Sequence, residues 1–196
     1  MLLKIRYLGY SAFEVKSFDG VTVLTDPYND NFGFDLPKNI SADIVLVSHN
    51  HSAHNCSEAV QGTPSVIQGP GYRELGWIKI KGIKSYHDKL GGEKYGTNTI
   101  FCWDMRAVRL CHLGDLGHLP DKALLEQIGP VDILFLPIGG NTVLDPLEAE
   151  KVMNLINCRY VIPMHYRTKY NSRDFRYTLQ DFLLGKKNII FPEKPN

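Results

Sequence analysis

Apolar and polar positions along the chain change rhythm near its middle. Leu2–Leu8, Ala12–Lys16 and Val21–Thr25 are short runs rich in β-branched and aromatic residues, broken at Gly9-Tyr10-Ser11 and Asp19-Gly20; they predict strands. Asp43-Ile44-Val45-Leu46-Val47 is a continuous apolar run, the pattern of a strand buried on both faces. A helix is predicted near residues 54–60 and a second short one near 72–75. Further strands are predicted at Ile83–Tyr86, Asn98–Trp103 and Ala107–Cys111. A helix at Asp121–Ile128, a strand at Val131–Leu136 and a helix at Pro146–Ile156 follow. Asp145 suits the N-cap of that last helix, with Pro146 at its first position and Glu148 placed for a capping box. The chain then reads as a strand at Tyr160–Ile162, a helix at Arg176–Leu184 stopped by Gly185, and a closing strand at Ile189–Phe191. Strands come first in runs and later alternate with helices, without repeat, low-complexity tract or linker. That order predicts one layered α/β domain over residues 1–196.

Composition narrows the class without changing this picture. In 196 residues, 43% are hydrophobic and 22% charged, as in an ordinary globular chain with a substantial core. Lysine and arginine number 22 against 21 acidic residues, so overall charge gives no reason to expect nucleic acid as a partner. The opening Met1-Leu2-Leu3-Lys4-Ile5-Arg6 alternates apolar and basic residues and lacks the apolar core of a signal peptide. No stretch is apolar enough to span a membrane. Cys56, Cys102, Cys111 and Cys158 are widely spaced, with no CxxC pair. They read as free thiols of a cytoplasmic protein. Oligomeric state is not legible at this level.

The chemistry is concentrated in histidines. Of seven, His49, His51 and His54 form HxHxxH directly after the buried strand. A loop at a strand end can place several rings around one ion, and neutral imidazole is a common zinc ligand. The competing reading, three solvated loop histidines, is weak for three within six residues. The remaining candidates each stand at a strand end: His87 after Ile83–Tyr86, Asp115 in Leu113-Gly114-Asp115, and His165 after Tyr160-Val161-Ile162-Pro163-Met164. A lone histidine after a strand is more often a turn residue than a ligand. Here four strand ends each deliver His or Asp, as a site on one edge of a layered sheet requires.

On these residues the chain resembles the metallo-β-lactamase superfamily over nearly its whole length. Ile5-Arg6-Tyr7-Leu8-Gly9-Tyr10-Ser11-Ala12-Phe13, Leu24-Thr25-Asp26-Pro27 and Val47-Ser48-His49-Asn50-His51 are similar to its first blocks. Leu113-Gly114-Asp115, Leu136-Pro137-Ile138-Gly139-Gly140-Asn141 and Ile162-Pro163-Met164-His165-Tyr166 are similar to the later ones. The later blocks point to the branch of small metal-dependent hydrolases related to ascorbate-phosphate lactonases and acyl-ethanolamine phospholipases. The resemblance implies a four-layer αβ/βα sandwich of mixed sheets, with helices on the outer faces and the site at one sheet edge. It implies a first metal site of His49, His51 and His87, a second with His54 and His165, and Asp115 bridging. Asp26 would orient a ligand ring from outside, or merely form a turn before Pro27. Zinc suits this set, as one ion or two, with manganese or iron as alternatives.

Two departures qualify the implication. The family motif is usually HxHxDH, and its carboxylate position is Ala53 here; Tyr10 stands where related sequences often have histidine. Loss of an anionic ligand weakens the second site more than the first. The implied activity is hydrolysis of an ester, lactone or phosphodiester in a small substrate by a metal-activated water, with Asp115 as the catalytic carboxylate. The leaving-group proton would then come from His118, Tyr166 or water. Arg167, Lys169, Arg173 and Arg176 could form a cationic rim for a phosphorylated or carboxylated substrate, or simply a solvated basic segment. Phe32, Phe34 and Trp77, in loop-like stretches, could form a substrate wall or an interface. The alternative function is a catalytically degenerate member that binds metal or a ligand without turnover.

Overall fold

The computed structural model describes residues 3–29, 33–171 and 175–192. Eleven strands among these residues form two mixed sheets. The first sheet runs in sequence order: β1 (Leu3–Gly9), β2 (Ala12–Ser17), β3 (Thr22–Thr25), β4 (Ile44–Val47) and β5 (Ser65–Gln68). The second contains β6 (Gly71–Leu75), β7 (Ile78–Tyr86), β8 (Thr97–Met105), β9 (Val108–His112), β10 (Ile133–Pro137) and β11 (Tyr160–Met164), also adjacent in sequence order. Both sheets follow one rule. A run of antiparallel strands (β1–β3 in the first sheet, β6–β9 in the second) comes first, and the next two strands join it in parallel.

The period-two alternation of side chains decides how the layers stack. Phe13, Val15, Val23, Ile44 and Leu46 of the first sheet meet Ile80, Phe101, Trp103, Leu110 and Phe135 of the second in one buried core. The alternate residues of the second sheet, among them Ile100, Cys102, Cys111, Leu134 and Leu136, face the other way. There they pack under α1 (Lys122–Ile128), α2 (Pro146–Ile156) and α3 (Leu179–Leu183). The alternate residues of the first sheet, Ala12, Leu24, Val45 and Val47, pack under Tyr28, Leu36, Ile40, Ala53 and Val60. This is the expected sandwich, although among the described residues the cover on the first sheet is irregular chain with a single 3₁₀ turn at Ser57–Ala59. The expected capping box at Asp145 and Glu148 is formed in full.

Three predicted elements differ. The segment near 54–60 makes only that 3₁₀ turn, because its chain is drawn into the site and onto the sheet by His54, Ala53 and Val60. Residues 72–75 form β6 instead of a helix. Gly76, at φ +60°, opens a two-residue turn that pairs Leu75 with Ile78, and a four-residue helix could not compete with that ladder. Ile189–Phe191 joins no sheet, and its side chains stay 40 to 76% exposed. Arg173 and Phe32 lie outside the described residues.

A candidate metal centre at one sheet edge

Two antiparallel steps make β7 run in the same direction as β9, and parallel pairing extends that direction to β10 and β11. The C-terminal ends of β7, β9 and β11 therefore share one edge, which is where His87, Asp115 and His165 follow. In the first sheet the ends of β3 and β4 share an edge likewise, delivering Asp26 and the histidine loop. The backbone leaves the pleat sharply at these ends. Asp26 and His165 have φ of +40° and +53°, sparsely populated for side chains other than glycine, as found where a site over-determines the backbone. Gly114, at φ +56°, has no room for a β-carbon, which would lie 2.3 Å from Asn98 Oδ1.

Four imidazoles converge on a single carboxylate oxygen. Oδ2 of Asp115 lies 3.0 Å from His165 Nε2, 3.1 Å from His87 Nε2, 3.2 Å from His54 Nε2 and 3.9 Å from His49 Nε2. All five residues are buried. Ligand atoms fall within 4.8 Å of one another in three sets: His49 with His87 and Asp115, His54 with Asp115 and His165, and His49 with His51 and His54. His51 alone of the expected residues is exposed, at the rim.

The outer ring nitrogens show which lone pairs face inward. Asp26, 1% exposed, accepts from Ser48 N and Ser48 Oγ at 2.8 and 2.7 Å and from His54 Nδ1 at 2.9 Å. Since Ser48 Oγ gives its proton to Asp26, it accepts from His49 Nδ1 at 3.0 Å. His87 Nδ1 donates to the Thr142 carbonyl at 2.9 Å. A proton held on Nδ1 leaves the Nε2 lone pair of His49 and His87 turned towards the site, the arrangement a cation needs. His51 is the reverse: its Nδ1 accepts the Ala53 amide at 3.3 Å and so bears the lone pair. Asp115 is fixed through its backbone. Asn98, 1% exposed, accepts from the Asp115 amide at 2.9 Å and donates to the Leu113 carbonyl and Ser85 Oγ at 2.9 and 2.7 Å.

Burial and neighbouring charges shift the titration of these groups in opposite directions. Burial pushes the His49 imidazole down to about 3. Burial opposes charge on His54 too, but Asp115 and Asp26 flank that ring and raise it to about 10, so the protonated ring donates through Nε2 to Asp115 and through Nδ1 to Asp26. Burial would raise Asp115, yet the rings of His165, His54 and His87 hold it well below the usual carboxylate range. Asp115 Oδ1, buried at the centre, makes no hydrogen bond, and neither does Nδ1 on the outer side of the His165 ring. An anionic oxygen left bare among inward-facing imidazoles fits a divalent cation.

Not every expected residue is here. His118 accepts from the Tyr86 amide and donates to the Leu119 carbonyl, beside a separate cavity of about 200 Å³ next to α1. Tyr166 hydrogen-bonds Tyr7 and packs against the core under the helices. Trp77 packs against Arg106, whose guanidinium lies 4.2 Å over its ring. Arg167, Lys169 and Arg176 are exposed, with Lys169 lying over Tyr170 and Arg176 over Tyr177. Phe34 packs edge-on against Tyr10. Sequence reasoning missed Ser48, Asn98 and Thr142, and also Phe175, whose ring lies 4.4 Å from that of His165. Ser48 adjoins the histidine motif and could have been suspected; the others carry no signal of their own.

A model of the β-lactamase superfamily domain matches residues 4–165. The chain is 31% identical to a metal-dependent hydrolase of Carboxydothermus hydrogenoformans, covering 85% of each protein. With a metal-dependent hydrolase of Staphylothermus marinus the identity is 31% over 96% of each. A candidate Zn-dependent hydrolase of the metallo-β-lactamase superfamily from Thermotoga maritima superposes with a TM-score of 0.77 at 38% identity, covering 92% of this chain and 84% of that one.

Proposed function

Because the chain belongs to the β-lactamase superfamily and is a metal-dependent hydrolase within it, we propose that it hydrolyses an ester, lactone or phosphodiester of a small substrate at a lopsided metal centre. The observation that carries this reading is the convergence of four imidazoles on Asp115 Oδ2 with Nδ1 of His49 and His87 pinned from outside. His49, His51 and His87 would hold the first cation, and His54 and His165 the second, with Asp115 shared. Zinc suits this donor set, and manganese or iron would tolerate the carboxylate. A cation bound there supplies a water with pKa near neutrality and charge to stabilise a developing oxyanion.

The chain's own residues do the rest. Asp115 is ionised and buried, so it can hold the cation and orient the attacking water. Asp26 and the Thr142 carbonyl keep the rings from rotating out of position. Ala53 adds no ligand: it is buried in the same apolar cluster as Tyr10 and Phe175, so the two departures from the family pattern fall in one place. The second subsite therefore has no fourth protein ligand, and its affinity is the weaker. The same burial of Ala53 supports the alternative of a metal-binding member without turnover. The four free cysteines suit a cytoplasmic setting; among the described residues no helix is long and apolar enough to cross a membrane. The test is turnover of p-nitrophenyl esters and bis(p-nitrophenyl) phosphate by zinc-loaded protein. Activity removed by a chelator and by His87→Ala is expected. Stoichiometric metal binding with no turnover of either probe would favour the alternative.

A further inference from the structure

Beyond the histidines, one loop leans on the metal centre. Residues 88–96 leave β7 at His87 and return into β8, and they are folded around a single buried side chain. Asp88 accepts from the Leu90 and Gly92 amides through Oδ1, at 2.7 and 2.9 Å, and from the Lys94 and Tyr95 amides through Oδ2, at 3.0 and 2.8 Å. Four donors fill a carboxylate's capacity, which leaves Asp88 none for metal or substrate. The loop closes on the ligand itself, since the His87 amide donates to the Gly96 carbonyl at 3.1 Å. On one side it is tied to α2 by the Lys89–Glu148 ion pair. On the other it lies directly against the Asp115 loop: Gly117 donates to the Tyr86 carbonyl, and a β-carbon there would stand 2.5 Å from the His87 carbonyl carbon.

What this template presents is Tyr95. Its ring centroid is 5.5 Å from that of His87 at 43°, yet the residue is 41% exposed. The Lys94 ammonium sits 4.8 Å from the same ring. A half-exposed phenol beside a ligand, on a loop fixed by four hydrogen bonds, is placed to meet whatever approaches the metal. His118 and Tyr166, the other hydroxyl or imidazole candidates, have their polar atoms engaged inside the fold, whereas the Tyr95 oxygen accepts from the exposed Lys94 ammonium and keeps its own O–H to donate.

We propose that Tyr95 contacts the substrate at the rim of the metal centre, its phenol hydrogen-bonding an oxygen of the ester or phosphodiester, and that Asp88 is the positioning residue that holds it there. This rests on the hydrolase reading above. In zinc-loaded protein, Tyr95→Phe should raise KM for the turned-over probe about 3- to 10-fold, the worth of one hydrogen bond. Tyr95→Ala should raise it further, with metal content unchanged in both. Asp88→Ala should speed amide exchange at residues 90, 92, 94 and 95 and bring KM to the Tyr95→Ala level, and it should add nothing in the Tyr95→Ala background. Unchanged KM in both Tyr95 variants of an active enzyme overturns the proposal. So does metal loss in Asp88→Ala, or a further rise of KM when it is added to Tyr95→Ala. If the wild type turns over neither probe, calorimetric binding of inorganic phosphate to the zinc-loaded protein replaces KM with the same expected ratios, and equal affinities overturn the assignment. A wild type that neither turns over nor binds phosphate defeats the hydrolase reading itself, and this proposal with it.

Discussion

The two sheets contribute to the candidate metal centre in different ways. The first supplies three histidines from one loop after β4, with Asp26 beneath them fixing Ser48 and His54. The second supplies one residue from each of three strand ends, and backbone and amide groups hold two of them: Thr142 the ring of His87, Asn98 the loop of Asp115. The compact half depends on one carboxylate, so a single change there reaches several ligands. The dispersed half is fixed piece by piece, so a change there is local, except at Asp115, where both halves meet.

The largest effect should come from that meeting point. Asp115→Asn keeps the shape but removes the charge shared by four imidazoles, and kcat on the ester or phosphodiester probe should fall on the order of 10³-fold. Next is Asp26→Asn, the base of the compact half. Metal affinity, measured by competition with a chromogenic chelator, should weaken about 10–100-fold. In the dispersed half, Asn98→Ala leaves the Asp115 amide and Leu113 carbonyl unsatisfied. It should cost about 1–3 kcal/mol in denaturant unfolding of the metal-free protein, with a smaller effect on metal affinity than Asp26→Asn. The reverse ranking of these two variants in metal affinity would break the comparison.

A pH series sharpens it further. His54 is raised to about 10 in the folded, metal-free chain, above the ordinary value of 6.5. Its stabilising contribution is therefore complete below about pH 6.5 and is lost as pH rises through about 10. Denaturant midpoints of metal-free protein should fall across that window, and those of His54→Gln should fall less.

The same contrast explains what could be read from the chain. HxHxxH announces the compact half because its three candidate ligands are neighbours in sequence, and the apolar run of β4 predicts where they stand. His87, Asp115 and His165 were legible as candidates only because each follows a strand. That they meet depends on the parallel direction of β7, β9 and β11, which single residues do not encode. Thr142 acts through its backbone carbonyl, to which its side-chain identity is irrelevant, and Asn98 is one asparagine in an ordinary strand. The misjudged helix at 72–75 has a similar cause: four residues carry too little periodicity, and the turn at Gly76 decided the element.

Elemental analysis of chelator-free protein and its Ala53→Asp variant separates unequal subsites from equal ones. About one tightly held ion per chain is expected in the wild type, rising toward two in the variant. Two tightly held ions in the wild type, or none in either protein after supplementation, would contradict that inequality.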